Sequence, residues 1–224
     1  MYRETIMKII INENQFNAII DEMAYPSSWN IETFKQITSF NKRVEYCNQH
    51  LTRLGSGSAR IVYQIDDDKV LKLAKNKKGI AQNEVEYDPY LSSSFDIFAK
   101  VFDADDENFT WIEMELARPV KIADFKKYVG YSFNDICMVI KQAHYDAHGR
   151  NKYGPSTNYD LYAEMVENNE WVSQLEEYIH NYNVPQGDLL RKSTYGIVKR
   201  NGQEELVIID YGLDDNVFNN YYAR

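Results

Sequence analysis

Two aspartates in the last quarter of the chain form the pattern with the most chemical content. Asp188 lies in the loop-like segment Gln186–Leu190, and Asp210 follows the apolar run Val207–Ile209 and precedes Tyr211-Gly212. A loop carboxylate can accept a proton from an attacking hydroxyl, and a carboxylate after a buried strand can hold a magnesium ion against phosphates. The pair therefore suits phosphoryl transfer, although Asp-aromatic-Gly is also an ordinary turn sequence.

A glycine-containing segment upstream, residues 54–62, is typical of a loop that covers phosphate groups. Two glycines let backbone amides approach phosphate oxygens without a β-carbon in the way. The residues expected to contact a nucleotide here are Gly55, Ser56, Gly57 and Ser58. Arg60 stands where a third glycine is expected, and it either reaches a phosphate or an acidic partner or is a solvated strand residue.

Lys72 alternates with apolar residues in the strand-like segment 70–74. A lysine that points inward from a strand needs an anionic partner, whereas an outward one is simply solvated. Glu84 and Glu86 follow on a short predicted helix, about 200° apart around its axis, so both cannot face Lys72. We favour Glu84 as the partner that fixes the lysine against nucleotide phosphates. Further along, backbone groups of Glu115 and Ala117, at the end of a predicted strand, either bind an adenine edge or belong to an ordinary strand end; the sequence does not separate the two.

Periodicity and turn signals predict the elements that must position these residues. Helices are expected at residues 12–23, 31–49 and 80–87, the last followed by Asp88 as N-cap of a new turn with Pro89 at its first position. Strands are expected at 61–65, 70–74, 97–102 and 109–114, helices at 132–149 and 159–182, and a hairpin around Asn201-Gly202. The order predicts an α+β, two-lobed arrangement with a crossover near Arg118-Pro119.

Composition restricts the function classes further. The chain has 224 residues, a net charge of −9 and two cysteines. The acidic balance argues against nucleic acid as a partner, and no run approaches the ~20 apolar residues that span a bilayer. Two unpatterned cysteines indicate a reduced, cytoplasmic protein without a disulfide scaffold. His144 and His148 could share a helix face, but no glutamate completes a metal-binding motif, so we expect no metal there.

The ordered set of glycine loop, strand lysine, helix glutamate, crossover, Gly-Asp-Leu loop and Asp-Tyr-Gly resembles the protein-kinase-like fold. The segments 55–63, 81–86 and 187–196 are similar to compact kinase-like proteins of bacteriophages and bacteria. The resemblance covers about residues 51–213. It implies a helical extension over 1–50, a nucleotide-binding lobe over 51–117 and a helical lobe with the catalytic and metal-binding loops over 118–224.

The resemblance also implies roles for single residues. Lys72 would contact the phosphates of ATP, Asp188 would act as base toward an acceptor hydroxyl, and Asp210 would bind Mg²⁺. The stretch that should hold a metal-binding asparagine contains Ser193 and Thr194, whose hydroxyls are weaker Mg²⁺ ligands.

Only 12 residues follow Gly212, which leaves no room for an activation segment or for the later helices that dock protein substrates. We therefore expect a truncated second lobe. The resemblance also implies a protein located in the cytoplasm of a bacterial or phage-infected cell. We expect a kinase-like phosphotransferase that uses ATP and Mg²⁺ and acts on a protein or a small molecule. Partner binding without catalysis is the second interpretation, and nucleotidyl transfer is a third that the sequence does not separate from kinase activity.

Overall fold

The computed structural model of the protein describes residues 28–149, 158–182 and 184–223. The predicted helix at 12–23 lies outside these residues. The chain divides into two compact units, Met1–Arg53 and Leu54–Arg224. Helices combine with antiparallel sheets, which confirms the α+β class.

The described part of the first unit contains two short helices, α1 (Ile31–Gln36) and α2 (Phe40–His50), where one helix was predicted over 31–49. Asn30 caps α1 by accepting the Thr33 amide at 2.8 Å. The helix breaks at Ile37, a β-branched residue in extended conformation whose carbonyl accepts a hydrogen bond from Arg43. Trp29 and Phe34 pack with ring centroids 5.2 Å apart.

A five-stranded sheet follows, in the order β1-β2-β3-β5-β4. Its strands are β1 (Thr52–Ser56), β2 (Arg60–Gln64), β3 (Lys69–Ala74), β4 (Val101–Ala104) and β5 (Trp111–Glu115). Strand β3 pairs antiparallel with β2 and β5, so Lys72 faces Val62 on one side and Ile112 on the other. The prediction of a strand at 97–102 was wrong at its start, because Phe98 instead forms a parallel bridge with Ile208.

Two helices are inserted between β3 and β4. Helix α3 (Lys77–Glu86) is capped by Asn76, whose side chain accepts two backbone amides. Helix α4 (Pro89–Ser94) begins as predicted, with Asp88 accepting the Tyr90 amide and Pro89 at the first position. A β-carbon added at Gly79 would lie 2.3 Å from the carbonyl oxygen of Ala59, so α3 packs tightly against the start of β2.

The remaining part is mostly helical and carries a three-stranded sheet, β6-β7-β8. Its elements are β6 (Arg118–Pro119), α5 (Ile122–Tyr128), α6 (Phe133–His148), α7 (Tyr159–Asn168), α8 (Glu170–Tyr182), α9 (Gln186–Leu189), a 3₁₀ turn (Lys192–Thr194), β7 (Tyr195–Arg200), β8 (Gln203–Ile208) and α10 (Asp215–Tyr221). Residues 132–149 behave as predicted: Ser132 and Asp135 form a capping box and Gly149 ends α6 at φ +69°.

The structure contains two helices, α7 and α8, where the sequence predicted a single helix over residues 159–182. Asn169 adopts an extended backbone between α7 and α8, its Oδ1 accepts the Val172 amide, and its Nδ2 donates to the Val129 carbonyl at 2.8 Å. These side-chain bonds replace the helical ones.

The β7–β8 hairpin turns at Asn201-Gly202, both at positive φ, as predicted. Buried residues of α6 and α8 pack with those of this hairpin in one hydrophobic core. No helix within the described ranges is long and apolar enough to cross a membrane.

Candidate active site

Glu86 is the centre of the charged cluster in the second unit. It lies on the buried face of α3, fully enclosed, and its Oε2 is 2.8 Å from the Lys72 ammonium. The expectation that Glu84 would pair with Lys72 was wrong, since Glu84 is exposed. The physical reason is the helix phase: Gly79, Gln82 and Glu86 share the face that packs on the sheet, and Glu84 lies on the opposite side.

Arg60 binds the same carboxylate from β2. Its two terminal nitrogens contact the two oxygens of Glu86 at 2.7 and 2.9 Å, and they also donate to Asn83 at 3.3 Å and to Asp210 at 2.7 Å. The sequence left open whether Arg60 contacts a phosphate, contacts an acidic residue or is solvated. In the structure it contacts acidic residues. Bidentate pairing of this kind fixes orientation as well as charge.

The cluster shifts the pKa values of its members. Burial alone would raise the pKa of Glu86, but Arg60 and Lys72 outweigh it and hold that pKa below its usual range. Burial lowers the pKa of Lys72 despite the attraction of Glu86, with Arg60 adding to the effect. Burial also opposes the charge on Arg60, yet Glu86 and Asp210 raise its pKa. We therefore treat Glu86 as ionised and Arg60 as permanently charged.

Asp210 lies two residues after the end of β8, and its backbone is held on both sides. The Ile209 carbonyl accepts a 2.7 Å bond from Lys72, and the Gly212 amide donates to Glu86 at 3.2 Å. The hydroxyl of Tyr211 donates to the Ala99 carbonyl at 2.9 Å. The Asp210 carboxylate itself remains 58% exposed, so its backbone is fixed while its side chain faces the cleft.

Asp188 lies in the short helix α9 and also faces the cleft. Thr194 positions it: the Thr194 hydroxyl donates to the Asp188 carbonyl at 2.6 Å, and the Thr194 carbonyl accepts the amide of Ile209 at 2.8 Å. The two aspartate loops are thus joined through one residue. Burial raises the pKa of Asp188, Asp210 adds to the rise, and Arg191, 3.1 Å away, opposes it.

The glycine-containing loop closes as a turn between β1 and β2, with the Gly57 amide donating to the Arg60 carbonyl at 2.9 Å. Lys75 donates to the Gly57 carbonyl at 2.8 Å, and Asn76 donates to the Ser58 carbonyl at 3.0 Å. Gly57 and Ser58 line the cleft. A β-carbon at Gly55 or Gly57 would meet nothing within 4 Å, so packing within the described residues does not require glycine there.

The cleft has a volume of about 640 Å³, within the range of ligand pockets. It brings together Arg60, Lys72, Glu115, Ala117, Asp188, Ser193, Thr194 and Asp210 from the predicted set, while Gly55, Ser56 and Glu84 do not line it. A larger surface hollow of about 1170 Å³ lies along β6 and β7 and contains none of the charged cluster. We therefore assign the chemistry to the smaller cleft.

The crossover can offer backbone groups at one end of this cleft. The Glu115 amide donates to the Lys100 carbonyl and the Leu116 amide to the Asp68 carbonyl, while the Glu115 side chain binds Arg200 at 2.7 Å. The Glu115 amide is therefore already bonded, and adenine binding by Glu115 and Ala117 stays a prediction.

The donor set fits one Mg²⁺ bound together with phosphates. Mg²⁺ keeps several waters and takes one or two carboxylates plus substrate oxygens. Asp210 supplies an exposed carboxylate in the cleft, and Ser193 lines it as well. Thr194 is buried and its hydroxyl is committed to Asp188. Within the described residues no group of three or more histidine, cysteine or acidic side chains could hold a metal without a ligand.

Sequence reasoning missed the residues that close the cleft beside α3. Gln82 donates to the Tyr222 hydroxyl at 3.3 Å, and Lys78 lies 4.4 Å from the centre of the Tyr222 ring. Phe218 of α10 also lines the cleft. In the sequence, only the apolar and aromatic residues after Gly212 indicated that this segment packs against α3.

The elements follow the order of glycine loop, strand lysine, helix glutamate, crossover and two aspartate-bearing segments, on which the expected resemblance to the protein-kinase-like fold was based. No protein-family model and no curated protein matches the sequence. Among solved structures, the chain is similar to a ternary complex of APH(2″)-IIa with streptomycin and ATP, at 14% identity over 81% of this chain and 75% of that one, with a TM-score of 0.33.

It is also similar to an APH(2″) enzyme with GDP and kanamycin (12% identity, 78% and 73% covered, TM-score 0.39) and to the ADP-bound aminoglycoside phosphotransferase APH(2″)-Ib (13%, 80% and 73%, 0.33). Identities and TM-scores this low carry no argument for an activity. The functional interpretation therefore depends on the geometry of the chain's own cleft.

Proposed function

We propose that the protein is an ATP- and Mg²⁺-dependent phosphotransferase that transfers the γ-phosphate to a hydroxyl of a protein or a small molecule. The observation that carries this proposal is the common cleft. Lys72, held by Glu86, lines it together with Asp188 and Asp210. Phosphoryl transfer needs these parts and little else, because positioning and charge neutralisation provide most of its catalysis.

Lys72 and the glycine loop would hold the nucleotide. The ammonium donates to Glu86 and to the Ile209 carbonyl, which leaves its third N–H for a phosphate oxygen. Gly57 has open space where a β-carbon would stand, which permits close approach of a phosphate to the backbone. The Ala117 backbone would meet the base at the other end of the cleft.

Asp188 would act as the base. The acceptor oxygen forms a bond to the γ-phosphorus as the bond from that phosphorus to the β,γ-bridging oxygen breaks; the nucleoside diphosphate leaves, and the acceptor proton passes to an Asp188 carboxylate oxygen. A raised pKa suits this role, because a more basic carboxylate accepts a proton more readily. The ion pair with Arg191 holds the side chain in place before the acceptor arrives.

Asp210 would hold Mg²⁺, which when bound neutralises phosphate charge and aligns the transferred group. Lys72 and the Gly212 amide fix the backbone on either side of this carboxylate, so its position is set before ligand binds.

Partner binding without catalysis is the second candidate. Thr194 in place of a metal-binding amide, and the Arg60 contact to Asp210, favour it because both reduce the number of free metal ligands. The presence of Lys72, Asp188 and Asp210 in one cleft, with Glu86 holding Lys72, argues against it, since binding alone needs no base.

One experiment separates these activities and the nucleotidyl-transfer alternative. The protein is incubated with Mg²⁺, a lysate as acceptor source, and ATP labelled on either the α- or the γ-phosphate. We expect transfer of γ-label that is lost in Asp188→Asn and Asp210→Asn but kept in Asp106→Asn, an exposed turn residue outside the cleft.

Transfer of the α-label would instead establish nucleotidyl transfer. No transfer, together with no rise in melting temperature on adding ATP and Mg²⁺, would refute both catalytic functions. The cysteines are both free thiols, which fits the proposed location in the reducing cytoplasm of a bacterial or phage-infected cell.

A further inference from the structure

We propose that Arg60 takes the place of a second metal ion, so that the nucleotide binds with one divalent ion and one fixed guanidinium. This inference rests on the proposed function, because it concerns how the same cleft neutralises phosphate charge. Kinase sites of the usual type hold two Mg²⁺ ions with an aspartate and an asparagine. Two independent features of this cleft remove the second position.

The first feature is the guanidinium itself. Its two terminal nitrogens carry four N–H donors, and they make four hydrogen bonds, to Asn83, to both oxygens of Glu86 and to Asp210. Arg60 therefore has no terminal donor left for a phosphate. Its side chain is almost fully buried, so it is a built-in charge rather than a mobile phosphate ligand.

The second feature is the stretch where the asparagine is expected. Thr194 is buried and donates its hydroxyl to the Asp188 carbonyl at 2.6 Å, so its role is to join the two aspartate loops. Ser193, whose side chain is exposed, is the other hydroxyl of that stretch and lines the cleft. A neutral hydroxyl is a weaker ligand for a hard divalent cation than the amide oxygen expected there.

Charge then favours one metal over two. Asp210 Oδ1 already accepts a hydrogen bond from Arg60 at 2.7 Å. A divalent ion at that oxygen would lie within a few ångströms of a permanent positive charge, which is repulsive at any dielectric constant. The exposed remainder of the Asp210 side chain is left for a single metal ion that also binds the phosphates.

Manganese binding tests the number of divalent ions bound per nucleotide and does not require catalytic turnover. Mn²⁺ is titrated into wild-type protein saturated with the β,γ-imido analogue of ATP, and free Mn²⁺ is measured by electron paramagnetic resonance. We expect one Mn²⁺ per bound nucleotide and no Mn–Mn dipolar broadening. Two bound ions with dipolar coupling would overturn the proposal, and so would nucleotide binding with none.

Arg60→Gln supplies the matched perturbation. It frees Asp210 Oδ1 and removes one positive charge, so the affinity of nucleotide-free protein for Mn²⁺ should rise about tenfold, the size expected for a divalent and a unit charge ~6 Å apart in water. Arg200→Gln is the control, because Arg200 is a comparably buried guanidinium that binds Glu115 outside the charged cluster. An unchanged affinity in Arg60→Gln, or an equal rise in Arg200→Gln, would refute the role.

Arg60→Lys separates the charge from the bidentate contact, since it keeps the positive charge but not the guanidinium geometry. We expect its Mn²⁺ affinity to stay within about twofold of wild type because the charge is kept, and a rise equal to that of Arg60→Gln would contradict a charge-based role. A failure of the proposed function would give a different result from a failure of the metal count: γ-label transfer would be absent although one Mn²⁺ is bound per nucleotide.

Discussion

Replacing Glu86 by glutamine should destabilise the second unit far more than replacing Glu84 by glutamine. Glu86 is the shared partner of two buried cations, Arg60 and Lys72, and the amide keeps its shape but not its charge. Removing one partner of a buried ion pair costs about 3–5 kcal/mol, because the remaining charge stays buried without compensation. Glu84 is exposed, so its replacement should change the free energy of unfolding by less than about 0.5 kcal/mol.

The measurement is the melting temperature of both variants, supported by urea denaturation. For a protein of this size each kcal/mol shifts the melting temperature by about 2–4 °C, so Glu86→Gln should melt about 6–20 °C below wild type. The two substitutions change the same residue type on the same helix, two positions apart. Equal shifts in the two variants, or a larger one in Glu84→Gln, would refute the assignment of Glu86 as the central carboxylate.

Acid provides a second test of the same cluster. The pKa of Glu86 is held below its ordinary value of 4.5, so the stability it contributes is fully present above that value and is lost as the pH falls through the lower folded pKa. The difference in melting temperature between wild type and Glu86→Gln should therefore be constant near neutral pH and should narrow below about pH 4.5. A difference that stays constant down to pH 3 would show that the effect is not due to the charge of Glu86.

Three further predictions concern other parts of the second unit. Asp188→Asn should abolish γ-label transfer while its melting temperature at pH 7 stays equal to wild type or rises, because burial and Asp210 raise the pKa of the ionised carboxylate; a large loss of stability would indicate a structural role. Burial lowers the pKa of His144 to about 4 from an ordinary 6.5, so the free energy of unfolding of the wild type should fall by up to about 3 kcal/mol as the pH drops from 6.5 to 4. Circular-dichroism melts of His144→Leu should show a melting temperature that depends less on pH over that interval. Gly57→Ala should weaken ATP binding, measured by calorimetry, without changing the melting temperature, whereas Gly79→Ala should cost about 1–3 kcal/mol because its β-carbon would lie 2.3 Å from a backbone oxygen.

Local signals in the sequence predicted local structure well. The cap at Asp88-Pro89, the capping box of Ser132 and Asp135 and the turn at Asn201-Gly202 all form as predicted. Each depends on residues within a few positions of one another, so no knowledge of tertiary contacts is required. The helix breaks at Ile37 and Asn169 were missed, because both depend on side-chain bonds that only the folded chain reveals.

The error over Glu84 has a specific origin. Helices are normally phased by their apolar stripe, but the buried positions of α3 are Gly79, Gln82, Asn83 and Glu86. These follow the spacing of one helix face, i, i+3, i+4 and i+7, with polar residues in place of apolar ones. Reading that polar stripe as the buried face would have selected Glu86.

Arg60 could not have been assigned from the sequence at all. Its contact with Asp210 joins residues 150 positions apart, and no local pattern specifies such a pair. The sequence shows only that a large charged residue stands where a glycine loop usually has glycine. A buried position for that residue required an acidic partner, but only the fold could choose between Glu86, Asp210 and a phosphate.

The charged cluster is difficult to explain as a device for stability. Burying charges costs several kcal/mol per ion, and well-packed apolar residues often stabilise a protein as much as a buried ion pair does. Arg60, Lys72 and Glu86 are nonetheless enclosed beside an exposed Asp210, and Arg60 and Lys72 line the cleft of about 640 Å³. Two fixed cations there would offset phosphate charge without any rearrangement, as electrostatic preorganisation requires. A cluster kept for that purpose should lose nucleotide affinity when Lys72 is replaced by methionine, measured by calorimetry at a temperature where the variant is still folded.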